Sequence, residues 1–105
     1  AKGYLEVKGV TLEENGVVSF PDAPTKRGEK HLRELIRCRK QGLEAYVLFV
    51  VQMSRVRYFT PNKKNDPAFA QALREAYESG VTVLAMDCLV EPGKVAIHRP
   101  VEIRL

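Results

Sequence analysis

Seven residues in a row, Ala45-Tyr46-Val47-Leu48-Phe49-Val50-Val51, carry no charge. The run is far too short to span a bilayer, which takes about 20 apolar residues. A strand that is apolar at every position, rather than at every second one, belongs in the middle of a sheet with both faces covered. The rest of the chain must then supply neighbouring strands and the helices that lie over them. Its 105 residues suffice for one domain with one modest core.

Those elements can be read on either side of the run. From Tyr4 to Leu12 the chain alternates: Tyr4, Glu6, Lys8 and Val10 share one face, and Leu5, Val7, Gly9 and Thr11 the other. Asn15-Gly16 predicts a hairpin turn into Val17–Phe20. Pro21-Asp22-Ala23-Pro24 cannot be regular and must be a shaped loop. A helix is predicted from Thr25 or Lys26 to Gln41, with Thr25 as N-cap and Gly42 just past its end. Asp66-Pro67 starts a second helix, which Gly80 ends. Strands follow at 81–90, 95–97 and 101–103, the last at an edge because Pro100 precedes it. The order strand, strand, helix, strand, helix, strand, strand argues an α/β domain with a mixed sheet. Within it, 43–51 and 81–90 form a parallel crossover unit.

Charge and cysteine content narrow the function classes. Seventeen basic and 13 acidic residues leave a net charge of +4, a mild excess that suits a nucleic-acid partner. The excess is concentrated in the first helix, where Lys26, Arg27, Lys30, Arg33, Arg37, Arg39 and Lys40 face only Glu29 and Glu34. Cys38 and Cys88 form no CxxC pair, so a zinc site or a disulfide scaffold is not expected. With neither an apolar leader nor a spanning segment in the sequence, a cytoplasmic protein without a membrane role is expected. The abrupt opening, Ala1-Lys2-Gly3 straight into a strand, suggests a piece of something longer.

Glu6 and Lys8, two apart on one strand, leave the same face. Such a pair reads either as a solvated ion pair or as a metal-binding carboxylate beside a lysine that attends an attacked phosphate. Asp22 likewise has two readings: a cap for its loop or helix, or a second carboxylate at the metal edge of the sheet. Thr25, Lys26, Arg27 and Gly28 open the basic helix, where backbone N–H groups can receive a phosphate and Lys30 can add charge. Gln52 follows the central strand, and Arg55 and Arg57 follow it as backbone clamps. His31 lies beside the apolar stripe and reads as a packed, hydrogen-bonded histidine, with a phosphate contact or proton carrier as the alternative.

Taken together, Tyr4 to Thr11, Phe20-Pro21-Asp22-Ala23-Pro24-Thr25, Arg27-Gly28 and His31-Leu32-Arg33-Glu34-Leu35 resemble the sugar fermentation stimulation protein family (SfsA). The similarity continues through Phe49-Val50-Val51-Gln52, Arg57-Tyr58-Phe59 and Asp66-Pro67. The resemblance implies a restriction-endonuclease-like, PD-(D/E)xK, mixed sheet flanked by helices. Glu6-Val7-Lys8 would be its second acidic motif. On that reading the chain is the C-terminal part of the nuclease-like domain. The first acidic strand, its leading helix and an upstream OB-type domain would be absent. Glu6 and Asp22 are then the expected Mg²⁺ ligands, with Glu6, Lys8 and Asp22 the catalytic set. DNA, held through its phosphate backbone, is the expected partner, and an incomplete sheet leaves room for a homodimer. Hydrolysis would belong to the full-length parent, the chain alone being inactive. A non-catalytic DNA-binding or regulatory module, and a general α/β interaction domain with a solvated basic helix, stand as alternatives.

Overall fold

A computed structural model describes residues 3–105. Ala1 and Lys2, which open the chain, lie outside the described residues. β1 runs Gly3–Val10 and ends earlier than its alternation suggests. At Thr11 the chain leaves one sheet for another. β2, Leu12–Glu14, turns into β3, Val17–Phe20, through Asn15 (φ 53°) and Gly16 (φ 82°). Positive φ at both central turn residues matches the twist of a hairpin, and glycine adopts it without steric cost. There follow α1 (Lys26–Lys40), β4 (Glu44–Val51), β5 (Tyr58–Pro61), α2 (Pro67–Glu78), β6 (Thr82–Glu91) and β7 (Lys94–Pro100). Val101 to Ile103 makes no strand; Ile103 contributes a lone bridge to Phe59.

The strands form two sheets. One has the order β1-β4-β6-β7, with β1, β4 and β6 parallel and β7 antiparallel. The other has the order β2-β3-β5, with β3 parallel to β5. The apolar run is β4 and it is central, as its composition predicts. Within the described residues one of its two faces is covered. Ala45, Val47, Phe49 and Val51 are buried beneath the helices, whereas Tyr46, Leu48 and Val50 face a side that no described element covers.

All four phenylalanines of the chain meet where the sheets join. Phe49 of β4 stacks on Phe59 of β5 with ring centroids 4.3 Å apart, and Phe20 of β3 meets Phe69 of α2 edge-on at 5.2 Å. Each such pair adds about 0.5–1.5 kcal/mol beyond its buried area.

A single carboxylate sets both helix starts. Asp66, nearly buried, caps α2 by accepting from Phe69 N–H at 3.0 Å through one oxygen. Its other oxygen accepts from Thr25 N–H at 2.8 Å. Thr25 in turn caps α1 by accepting from Gly28 N–H at 3.0 Å. α1 ends as its sequence predicts, with Gly42 at φ 81° just past Gln41. Among the described residues, no helix is long and apolar enough to cross a membrane.

Candidate functional site

β1 is an edge strand, and its alternation presents Glu6 and Lys8 on the face that α1 covers. The chain reverses between them, so α1 lays His31 over both. Lys8 Nζ lies 2.9 Å from His31 Nδ1, Glu6 Oε1 lies 3.1 Å from the same nitrogen, and Lys8 Nζ lies 3.5 Å from Glu6 Oε1. All three side chains are partly shielded, at 32, 14 and 21% exposure for Glu6, Lys8 and His31. One ring nitrogen cannot accept from the ammonium and donate to the carboxylate at once. His31 Nδ1 therefore stands between a donor and an acceptor, and the position of one proton decides which bond is made. An open groove of about 330 Å³ between β1 and α1 reaches this cluster, lined in part by Tyr4, Glu6, His31, Glu34 and Arg37.

The other candidate residues are distributed differently. Asp22 is exposed and is tied down through its backbone carbonyl, which accepts from Asn65 Nδ2 at 2.8 Å. No hydrogen bond or ion pair among the described residues brings its carboxylate to Glu6 or Lys8. Lys26, Arg27 and Lys30 are exposed on the first turns of α1. Thr25 and Gly28 instead have their N–H groups engaged within the fold. Gly28 is buried, and a Cβ on it would meet Thr25 Cγ2 at 2.8 Å and Phe69 Cε2 at 3.2 Å. The glycine lets the helix approach the aromatic cluster closely.

Gln52, exposed beyond β4, donates its backbone N–H to Val10 O at 3.1 Å, and its side-chain amide lies over Gly9. Gly9 faces away from the Glu6–Lys8 side, so Gln52 serves the opposite side of the sheet. Arg55, at φ 62°, shapes the β4–β5 loop. Arg57 donates its backbone N–H to Gly16 O at 2.7 Å and packs along the hairpin turn. With Lys63 and Lys64 it helps line a second open groove, of about 810 Å³, between the β2–β3 hairpin and the 62–65 loop.

His31 is the member of the cluster that sequence spacing did not bring to Glu6 and Lys8. It lies 23 positions from Lys8, and only the packing of α1 on β1 joins them. Its hydrogen-bonded state agrees with the expectation of a packed histidine, but its partners are the two residues singled out for chemistry.

In this cluster Glu6 is the one carboxylate that a magnesium ion could use. Glu6 supplies one carboxylate, already flanked by an ammonium and an imidazole, and Asp22 makes no hydrogen bond or ion pair with this cluster among the described residues. Among the described residues no three histidine, cysteine, aspartate or glutamate side chains converge. Mg²⁺ takes six near-octahedral oxygens and draws its protein ligands from carboxylates.

Comparison with known proteins places the chain. The model described as the sugar fermentation stimulation protein RE domain matches residues 1–94. The chain is 51% identical over 104 residues to the sugar fermentation stimulation protein homolog of Ruminiclostridium cellulolyticum, and 53% identical over 104 residues to that of Clostridium beijerinckii. Each match covers 99% of the chain and 46% of the relative, so the chain spans about half the length of these curated relatives. A solved structure described as Pyrococcus furiosus SfsA in complex with Ca2+ superposes with a TM-score of 0.90 at 32% identity. That superposition covers 96% of this chain and 44% of the other.

These matches correct the expectation of a C-terminal nuclease-like piece stripped of its N-terminal elements. That expectation followed from ranking Glu6-Val7-Lys8 as the second of two acidic motifs, which makes any preceding strand look lost. The RE-domain match, over residues 1–94, takes in β1 and runs on through β6. β1 is an edge strand of the observed sheet, seated on β4 and under α1.

Proposed function

Because the chain belongs to the sugar fermentation stimulation protein family, we propose that its RE domain binds the phosphate backbone of DNA, with Glu6, Lys8 and His31 forming the group that meets a phosphodiester. The observation that carries this reading is the convergence of those three side chains, of which Glu6 and His31 line an open groove. Lys8 supplies positive charge where a phosphate oxygen would lie. His31 and Glu6 supply groups able to take and return a proton. The exposed Lys26, Arg27 and Lys30 continue the basic surface along α1, and phosphate contacts of this kind fix a protein on DNA without reading its sequence. Arg55 and Arg57 belong to the same reading as clamps from the β4–β5 loop.

Hydrolysis, if the family carries it out, belongs to the full-length protein. Mg²⁺ is the cofactor proposed for it, and the Ca²⁺ complex of the P. furiosus relative supports a divalent cation in the family. Glu6 offers that cation one ligand, and further oxygens are required, so no chemical step is routed through a metal on this chain. A cytoplasmic setting goes with a DNA partner.

The test is duplex binding by fluorescence anisotropy across a salt series. Neutralising two phosphate contacts lowers the slope of log affinity against log salt by about 2. Reversing Arg27 and Lys30 to glutamate is expected to do so. An affinity indifferent to salt and to both substitutions would overturn the reading. Plasmid cleavage by the full-length protein with Mg²⁺, and its loss in Glu6→Gln, separates a nuclease from a non-catalytic DNA-binding module.

A further inference from the structure

The groove of about 810 Å³ is built on the outer face of the three-stranded sheet. Val18 and Phe59 point into the core, so their neighbours Val17, Ser19 and Thr60 turn outward and floor it. One wall is the 62–65 loop, which is held from within. Asn62 N–H donates to Phe20 O at 2.9 Å, Asn62 Nδ2 to Pro21 O at 3.0 Å, and Asn65 Nδ2 to Asp22 O at 2.8 Å. Both asparagine amides are thus turned toward the 20–22 segment, and Lys63 and Lys64 between them stand exposed at the groove. Neither lysine makes an ion pair among the described residues. The segment to which their loop is bonded runs directly into Lys26 and Arg27 at the start of α1. The charge of the groove is not uniform. Glu13 Oε2 is drawn back to accept from Gly16 N–H at 2.6 Å, while Glu14 lines the hairpin side.

We propose, on the basis of the same DNA reading, that DNA bound along the start of α1 continues over the 62–65 loop into this groove, with Lys63 and Lys64 on its phosphates. Three observations favour that occupant. First, the cations are spread over two elements joined by one bonded segment. A lone phosphate would use one such group, whereas a duplex, with one charge per about 1.7 Å of its axis, engages both. Second, the loop is ordered before anything binds. Its internal bonds fix the backbone that carries the lysines, so little ordering cost remains for the complex. Third, the floor offers the hydroxyls of Ser19 and Thr60, which can donate to phosphate or sugar oxygens. Glu14 repels phosphate and so marks the far edge of the track, leaving the backbone to pass on the lysine side.

Duplex binding by fluorescence anisotropy over a salt series tests the groove separately from α1. Lys63→Glu with Lys64→Glu is expected to weaken binding about tenfold at low salt and to lower the salt slope by about 2. Glu14→Gln removes a repelling charge and is expected to tighten binding about two- to threefold. Lys40→Glu serves as the control. Lys40 is exposed at the other end of α1, about 20 Å from Lys26 at the helical rise, and its reversal is expected to change affinity less than about twofold. Lys63→Gln with Lys64→Gln also removes both contacts and replaces the glutamate pair should that variant fail to fold. A slope that falls when Arg27 and Lys30 are reversed, but not when Lys63 and Lys64 are, leaves the DNA reading standing and overturns the groove. An unchanged affinity in Glu14→Gln overturns it too, as does a Lys40→Glu loss equal, charge for charge, to that of the loop pair. Polyglutamate bound as tightly as the duplex, and lost in the loop pair, would assign the groove to an acidic peptide instead of DNA. No binding by the unaltered chain at any salt removes the DNA reading and the groove with it.

Discussion

Asp66 and Glu6 are both carboxylates packed near α1, and they are partnered in opposite ways. Asp66 is 7% exposed, and its two oxygens accept backbone N–H bonds from Thr25 and Phe69. Those donors are fixed, neutral and belong to the ends of helices. Glu6 faces solvent in part, and its neighbours are the side chains of Lys8 and His31. A buried carboxylate held by backbone donors stabilises a fold, because removing it strands donors that have no other partner. A half-exposed carboxylate among titratable side chains contributes little to stability, since solvent screens it. The proposed role of Glu6 therefore rests on a ligand and not on stability.

The contrast can be broken by measurement. Asp66→Ala removes the α2 cap and the acceptor of the Thr25 N–H at once and is expected to cost about 3 kcal/mol in urea unfolding. A loss below about 1 kcal/mol would show that the two helix starts hold without it. Gly28→Ala gains helix propensity of about 1 kcal/mol, yet its new methyl must displace Thr25 and Phe69. A net loss of about 1–2 kcal/mol is expected, and a gain would mean the aromatic cluster yields easily. Reversal of Arg27 and Lys30 should weaken duplex binding at low salt by about tenfold, about 1.4 kcal/mol, with unfolding nearly unchanged. Glu6→Gln completes the comparison with the smallest effect on unfolding, within about 1 kcal/mol. If Glu6→Gln destabilised the chain as strongly as Asp66→Ala, the cluster would be a structural element and the functional reading of it would fail.

What could be read in advance follows the range of the interactions. Asn15-Gly16, the Thr25 cap, Gly42 and Asp66-Pro67 act within a few residues, and each appears in the structure where its local chemistry requires. The second bond of Asp66 reaches Thr25 across 41 positions and leaves no local mark. His31 reaches Lys8 and Glu6 in the same way. The switch of sheets at Thr11 was hidden because alternation continues through it; only strand pairing shows that β1 and β2 have different neighbours. The apolar run identified a central strand correctly, but composition could not say that one of its faces would lack a cover within these residues. Gly28 has a packing role that its neighbours in sequence do not announce: its small size admits an aromatic ring.

The bond from Asp66 to Thr25 also bears on how the helical layer moves. Arg33 of α1 holds Glu75 of α2 at 2.7 Å, and Gly80 beyond α2 packs on the Arg39 side chain near the end of α1. The two helices are thus fastened at their starts, along their lengths and near their ends. Neither can lift away without disturbing a cap on the other. In native-state hydrogen exchange, the protected amides of both should open as one cooperative unit. The first turn of α1, which carries the proposed DNA-binding lysines and arginine, would then owe its rigidity to a residue in the loop before α2.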